Sequence, residues 1–176
     1  MRLTLHTDFS LRVLIYLGLE PGRLATIQEV ALHYGISRNH LMKVVHRLGA
    51  AGYIRTVRGK HGGMTLQRPP ARIGLGAVVR SMEDSFELVE CFSPDGRCRI
   101  RPACSLRAVL LDALAGFFQV LDRYTLADVI SNPDELSWLL ELTDRRPPGL
   151  KGPRMRRGGK RPPPARVKPR PAPGAG

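Results

Sequence analysis

Two short helices joined through a single glycine constrain this fold more than any other feature of the sequence. Thr26-Ile27-Gln28-Glu29 has the spacing of a capping box, in which the threonine hydroxyl and the glutamate carboxylate each accept a backbone N–H. Gly35 suits the left-handed conformation that ends such a helix, and Ser37 can cap the next one. That second helix has an inward apolar stripe, which comprises Leu41, Val44, Val45 and Leu48. The pattern predicts a helix-turn-helix over residues 26–48.

The outward side of the second helix is polar and indicates contact with DNA. The residues at its start and along this side are Ser37, Arg38, Asn39, His40, Lys43 and Arg47. Arginine can donate two hydrogen bonds to guanine, asparagine can bracket adenine, and lysine reaches phosphate. Donors near the start of the second helix match the way a helix-turn-helix enters the major groove. Taken alone, these residues also fit an ordinary solvated helix face.

A β-hairpin is predicted directly after the helix pair. Residues 53–58 and 64–68 alternate as strands do, and the glycine-rich residues 59–63 form the turn between them. Arg58, Lys60 and His61 lie at this turn and suit contact with phosphate or the minor groove. An earlier helix, predicted to begin at a Thr7 cap, completes a DNA-binding domain over residues 1–80. The predicted fold class is therefore mainly α, a winged helix-turn-helix with a two-stranded wing.

The charge distribution agrees with this assignment. The chain has 28 Lys+Arg and 15 Asp+Glu, a formal net charge of +13. Residues 1–80 have a net charge of +9, residues 81–144 of −7 and residues 145–176 of +11. The first region therefore attracts the phosphate backbone and the second does not. The Pro- and Gly-rich tail, residues 144–176, is predicted to be disordered and to act either as a solvated extension or as a nonspecific attraction for phosphate.

Three cysteines mark residues 81–105 as a candidate metal-binding loop. Cys91, Cys98 and Cys104 have the spacing C-x6-C-x5-C, and the prolines and glycine between them disfavour regular structure. An odd number of clustered cysteines argues against a disulfide framework and for a reduced, cytoplasmic protein, and no signal peptide or membrane span is expected. The five histidines all precede residue 81, so the local ligands are three thiols. An iron-sulfur cluster, zinc and free or redox-active thiols all stay open at this point.

A long helix is predicted from Leu106, within a region that spans residues 106–143. Its apolar residues recur at alternating four and three, and others widen this stripe on both sides. The helix is expected to be about 20 residues long, and one chain offers little to cover so wide an apolar arc. We therefore predict a homodimer through this helix; packing wholly on the chain's own winged domain is the alternative. Two short helices, 125–130 and 135–142, are predicted to cap the bundle.

Several of these segments together resemble the NsrR family of nitric-oxide-sensing, iron-sulfur winged-helix regulators. The resemblance covers roughly residues 1–142 and is carried by residues 1–4, 7–12, 30–34, 37–41 and 57–63, followed by the three cysteines. It implies a homodimeric transcriptional repressor that binds a double-stranded DNA operator and releases it when nitric oxide reacts with the cluster. The implied cofactor is one iron-sulfur cluster per subunit, of the 4Fe-4S type, with 2Fe-2S as the alternative. The implied ligands are Cys91, Cys98, Cys104 and Asp8 of the partner subunit, with Arg12 beside the cluster.

Two alternatives within the class of DNA-binding regulators are kept. The IscR regulators are similar but hold their cluster with a histidine three residues beyond the third cysteine, where this chain has Arg107. A zinc-bound or metal-free winged-helix regulator is the other alternative. An enzyme is not expected, because a catalytic cysteine needs a nearby general base and no histidine lies in the cysteine-containing half.

Overall fold

A winged helix-turn-helix forms the first half of the chain, and a long helix with two short ones forms the second. The computed structural model describes residues 2–144 and 147–148; most of the predicted disordered tail thus lies outside the described residues. The elements are α1 Leu5–Leu19, α2 Ile27–Tyr34, α3 Arg38–Ala50, β1 Ile54–Val57, β2 Gly63–Leu66, α4 Leu75–Met82, α5 Leu106–Leu121, α6 Leu126–Val129 and α7 Pro133–Leu139, with 3-10 turns at Pro70–Arg72 and Glu90–Phe92. The mainly α, winged fold class is confirmed.

The helix-turn-helix forms for the local reasons that its sequence indicates. Thr26 Oγ1 accepts the N–H of Glu29, and the Glu29 carboxylate accepts the N–H of Thr26. Gly35 has φ +64, in the left-handed region, and the N–H of Ile36 donates to the carbonyl of Ala31 at 3.0 Å. The turn into α3 is therefore tight. Ser37 occupies the predicted N-cap position of α3, although its side chain makes no capping hydrogen bond.

The first helix begins earlier than the sequence indicated. Thr4, and not Thr7, is its N-cap, and the Thr4 hydroxyl accepts the N–H of Thr7 at 3.3 Å. Thr7 is fully buried inside the helix. The prediction that Thr7 caps α1 was wrong because both threonines suit a cap and local sequence does not distinguish them.

The core of the DNA-binding domain lies between α1, α3 and the wing. Its fully buried side chains include Val13, Leu14, Tyr16 and Leu17 of α1, Val30 of α2, Leu41, Val44 and Leu48 of α3, and Ile54 and Met64 of the strands. The predicted inward stripe of α3 is thus confirmed. Ala25 pairs with Met64 through two backbone hydrogen bonds of 2.9 and 2.8 Å, which attaches the wing to the chain before α2.

The wing is an antiparallel pair in which Ile54 faces Leu66 and Val57 faces Gly63. Its turn needs small residues: a Cβ added to Gly62 would lie 2.3 Å from the carbonyl oxygen of Val57. The glycine-rich turn is therefore a steric requirement of this hairpin.

Helix α5 has 16 residues, none of them buried, and ends at Leu121, so it is shorter than the predicted helix of about 20 residues. Helices α6 and α7 pack on α1, and the prediction that they cap a bundle formed with α5 was wrong. Leu126 is fully buried, and a Cβ on Gly18 would lie 2.9 Å from Ile130 Cδ1. A small residue in α1 thus makes room for α6, an effect with no local sequence pattern. In the part of the chain that the structure describes, no helix is long and apolar enough to cross a membrane.

Replacement of Thr26 by alanine tests the capping box. The variant leaves a backbone N–H at the start of α2 without its side-chain acceptor, so the free energy of unfolding should fall by about 1 kcal/mol. Burial raises the pKa of Glu29, but hydrogen bonds from Thr26 and Arg23 outweigh this and hold it below its ordinary value. The contribution of Glu29 is therefore present above its unfolded pKa and is lost as the pH falls through the lowered, folded value. Urea unfolding of wild type and Thr26→Ala at neutral pH measures the difference in the free energy of unfolding. Gln28→Ala in the same turn is the control, and an equal loss of stability in that variant would contradict the prediction.

Candidate DNA interface and cysteine loop

The outer face of α3 is open along its length. Ser37, Arg38, Asn39, His40 and Lys43 are all exposed. Met42 lies between them and has half of its surface exposed, although it is apolar. A face of this kind combines hydrogen-bond donors with one methyl-bearing group, which suits base edges in a major groove.

Arg47 does not belong to this face. Its Nε donates to the carbonyl of Ser81 at 3.1 Å, and its Nη1 lies 2.8 Å from the Asp84 carboxylate. A longer bond, 3.5 Å, runs from Nη2 to the carbonyl of Glu83. The prediction of an outward, groove-facing Arg47 was therefore wrong. These contacts fasten the last turn of α3 to the end of α4 and to the two residues that follow it, which helical spacing alone could not show.

The wing lies beside the start of α3. Arg58, Lys60 and His61 are exposed at or next to its turn. A cleft of about 300 Å³ lies between wing and helices, with Arg38 on one side and Thr56, Val57 and Gly62 on the other. The start of α3 and the wing therefore form the walls of one cleft. Arg38 is therefore the predicted DNA contact that lies across this cleft from the wing.

Asp8 and Arg12 form an ion pair on α1. Arg12 Nε lies 3.1 Å from Asp8 Oδ1, and its Nη2 lies 2.5 Å from Oδ2. The guanidinium also lies 5.7 Å from the ring centre of Phe9 and 5.9 Å from that of Tyr34. The Asp8 side chain is 38% exposed, so its carboxylate is reachable from outside the subunit. Within one chain, Asp8 is thus a partner of Arg12.

Glu83 joins the start of α1 to the segment that leads to the cysteines. Its carboxylate accepts the N–H of Thr4 at 2.8 Å and the Thr4 hydroxyl at 3.1 Å. His6 lies in the same region, and burial, assisted by the charge of Arg47, lowers its pKa. Together with Arg47, these contacts connect α1, α3 and residues 81–84. Residues 79 positions apart meet here, so the connection leaves no signal in the local sequence.

The cysteine loop is folded by its own turns. Cys91 and Cys104 are half-buried, Cys98 is exposed, and all three are free thiols. Arg107 Nε donates to the carbonyl of Cys91 at 3.1 Å, which draws the beginning of the loop to the first turn of α5. Among the described residues, no group of three or more His, Cys, Asp and Glu side chains is arranged as a metal site.

The donor set nevertheless fits a thiolate-binding group in chemistry. Three unpaired thiols lie on one short loop, two of them half-buried, and thiolates are the ligands that iron-sulfur clusters and zinc prefer. The peptide N–H of Arg97 donates to Glu90 at 3.1 Å, so the loop is held at its base while Cys98 stays exposed.

The fold and the exposed face of α3 define a winged helix-turn-helix regulator of transcription. Residues 3–132 match the Rrf2 family, described as iron-dependent transcriptional regulators. The chain belongs to this family. It is a transcriptional regulator and not an enzyme.

Curated relatives and solved structures agree with this assignment. The chain is 48% identical over 146 residues to the HTH-type transcriptional regulator NsrR of Bacillus subtilis, which covers 82% of this chain and 100% of that protein. It is 46% identical over 143 residues to NsrR of Geobacillus kaustophilus, covering 80% and 97%. The oxidized form of Staphylococcus aureus CymR superposes with a TM-score of 0.58 at 25% identity, covering 72% and 93%. IscR of T. potens, with a TM-score of 0.62 at 23% identity and coverage of 77% and 90%, shares the fold.

Lys43→Ala and Lys60→Ala test the two elements of this surface. If each lysine neutralises a phosphate, each variant should reduce the slope of log affinity against log salt concentration by about 1. Filter binding to an operator selected from random duplexes measures this slope. Arg123→Ala, which removes an exposed cation outside the helix-turn-helix and wing, is the control. Slopes that match wild type in both lysine variants would contradict the assignment.

Proposed function

We propose that the protein is a homodimeric repressor that binds an operator through α3 and the wing and responds to nitric oxide through an iron-sulfur cluster. One observation carries the proposal: the segment that leads to the three free thiols is fastened to both α1 and α3, through Glu83 and Asp84. A change in that loop therefore has a physical route to the DNA-binding helix. The free thiols suit the reducing cytoplasm, where we place the protein.

The DNA contacts divide by chemistry. Arg38, Asn39 and His40, at the start of α3, can donate to base edges, and Ser37 and Lys43 to the backbone. Arg58, Lys60 and His61 reach phosphate or the minor groove from the wing. The domain that carries them, residues 1–80, has a net charge of +9, which gives the long-range attraction.

The dimer is supported by the two sides of α5. One side of α5, which contacts α4, carries the half-buried apolar residues; they are Leu110, Leu114, Phe117, Phe118 and Leu121. On another side, Leu106 and Val109 are 57% and 60% exposed, and Val120 is 46% exposed. With Ala113 between them they form a continuous apolar stripe at helical spacing. A second copy of α5 would cover it and would give the two-fold arrangement that a helix-turn-helix uses to read two half-sites.

The cluster is assigned to Cys91, Cys98 and Cys104, with Asp8 of the partner subunit as the fourth ligand. When bound, a 4Fe-4S or 2Fe-2S cluster supplies iron that reacts with nitric oxide. The support lies in the free thiols, the family's iron dependence and the similarity to regulators named NsrR. Arg107 occupies the position of the IscR histidine and bonds to the Cys91 carbonyl, which disfavours an IscR-type site.

The chain's own residues then transmit the state of the loop. Arg107 holds the start of the loop to α5, and Glu83 and Asp84 hold the preceding segment to α1 and α3. In the free chain Arg12 engages the Asp8 carboxylate, so the ligand role requires this pair to open or to be shared. If the loop relaxes, Arg47 loses Asp84 as a partner and α3 is less firmly held. The operator is then released.

Cys98→Ser tests the cluster. The variant should lose most of its bound iron and sulfide and should no longer change its DNA affinity with nitric oxide, because one of three thiolates is gone. Iron and sulfide per chain in oxygen-free preparations, with operator binding before and after nitric oxide, are the measurements. Ser93→Ala in the same loop is the control for Cys98→Ser. The proposed Asp8 ligand is tested by Asp8→Asn, for which Asp95→Asn is the matched control. Wild-type protein that contains neither iron nor sulfide but binds its operator fully would leave a plain regulator, and bound zinc would identify the zinc alternative.

Val109→Glu tests the dimer. An unpaired carboxylate in the covered stripe of both copies should weaken association by at least about tenfold. Sedimentation equilibrium measures the dissociation constant. Gln119→Glu introduces the same charge on α5 away from the stripe and should leave the dimer intact. An unchanged Val109→Glu dimer would mean that the subunits meet elsewhere.

A further inference from the structure

Helix α5 is fastened to the DNA-binding domain most firmly near its carboxyl end. There the segment at the start of α4 pairs with the segment that follows α5 through two backbone hydrogen bonds. The Leu75 N–H donates to the Tyr124 carbonyl at 2.9 Å, and the Leu126 N–H donates to the Ile73 carbonyl at 2.8 Å. At its amino end, Leu106 and Val109 are more than half exposed. This backbone pairing fixes the carboxyl end of α5 relative to the DNA-binding domain.

An arginine and an aspartate lock this end. Arg80 of α4 donates from Nη1 to Asp122 Oδ1 at 2.6 Å and from Nη2 to Oδ2 at 2.7 Å. Asp122 is the C-cap residue of α5, and the Arg80 guanidinium also lies 4.1 Å from the ring centre of Phe118. The two parallel hydrogen bonds and the contact with the Phe118 ring fix the orientation of the guanidinium. The pair therefore determines the angle between α4 and α5 as well as the distance between them.

Gly76 provides the room for this pair. A Cβ at Gly76 would lie 1.9 Å from Asp122 Oδ1 and 2.9 Å from Arg80 Nη1. Any larger residue would push the carboxylate out of its position. Two residues of α4 and one at the end of α5, 42 positions beyond Arg80, are thus matched to one arrangement.

The pair is better suited to orientation than to stability. Both side chains are almost half exposed, and exposed ion pairs stabilise a fold little. The hydrogen bond from Arg80 lowers the pKa of Asp122, so the carboxylate is charged at neutral pH and the pair is intact there.

We propose that the Arg80–Asp122 pair determines the half-site spacing that the protein recognises. This inference rests on the proposed function, in which two subunits meet through α5. If α5 is the shared axis of the dimer, its angle to each DNA-binding domain sets the separation of the two α3 helices. A helix of 16 residues is roughly 24 Å long, so a rotation of about 10° at one end moves the other by roughly 4 Å. That displacement is comparable to one base-pair step, about 3.4 Å.

Asp122→Asn and Arg80→Met test the proposal on wild-type operator, on operators with one base pair added or removed between half-sites, and on an isolated half-site. Wild type should lose about tenfold or more in affinity when the spacing changes. The two variants should discriminate less than about threefold between spacings and should bind the isolated half-site like wild type. Gly76→Ala should reproduce their behaviour by displacing the Asp122 carboxylate. Arg80→Lys keeps the charge but cannot donate two parallel hydrogen bonds, so its discrimination between spacings should be intermediate.

Asp112→Asn, the same substitution at an exposed position of α5, is the control and should keep the wild-type preference. Thermal unfolding checks that each variant is folded. Retention of the wild-type spacing preference by folded Asp122→Asn and Arg80→Met would overturn the inference, as would an equal loss of half-site affinity. Failure of the wild-type protein to dimerise or to bind two half-sites would instead refute the proposed function.

Discussion

The packing of α3 on α1 determines where every candidate DNA contact can lie. Leu41, Val44 and Leu48 are completely or almost completely buried against the first helix and the wing. Because the faces of a helix are fixed relative to one another, burial of this stripe forces Arg38, Asn39 and Lys43 outward. The DNA-binding face is thus the reverse side of the hydrophobic core. Loss of the core packing would displace the reading face even if every polar side chain remained.

Local patterns predicted the parts of the protein that depend on neighbours in sequence. The Thr26–Glu29 capping box, the left-handed Gly35 and the alternation in the wing are all decided within a few residues, and all three are present. The misplaced cap of α1, at Thr7 instead of Thr4, is a choice between two similar residues.

Contacts between distant segments could not be predicted in the same way. Thr4 with Glu83, Arg47 with Asp84 and Arg80 with Asp122 join residues 37 to 79 positions apart, and each depends on how the helices pack. The same reason explains why α6 and α7 were expected on α5 and lie on α1. The three cysteines could be singled out as candidate ligands because they lie on one segment, whereas the proposed carboxylate of a partner subunit has no local pattern and was inferred from resemblance alone.

The two ends of α5 have different physical characters, and this difference gives the proposed regulator a mechanism. Cys104 immediately precedes Ser105, the N-cap of α5, so the cysteine loop adjoins the exposed amino end of the helix. The opposite end is locked to α4 by a charged, directional pair. In the proposed regulator, a change in the loop would act at the amino end of α5, and the Arg80–Asp122 pair would link that helix to the DNA-binding domain. Since the locking pair contributes little stability, natural variants of it could alter operator spacing without unfolding the protein.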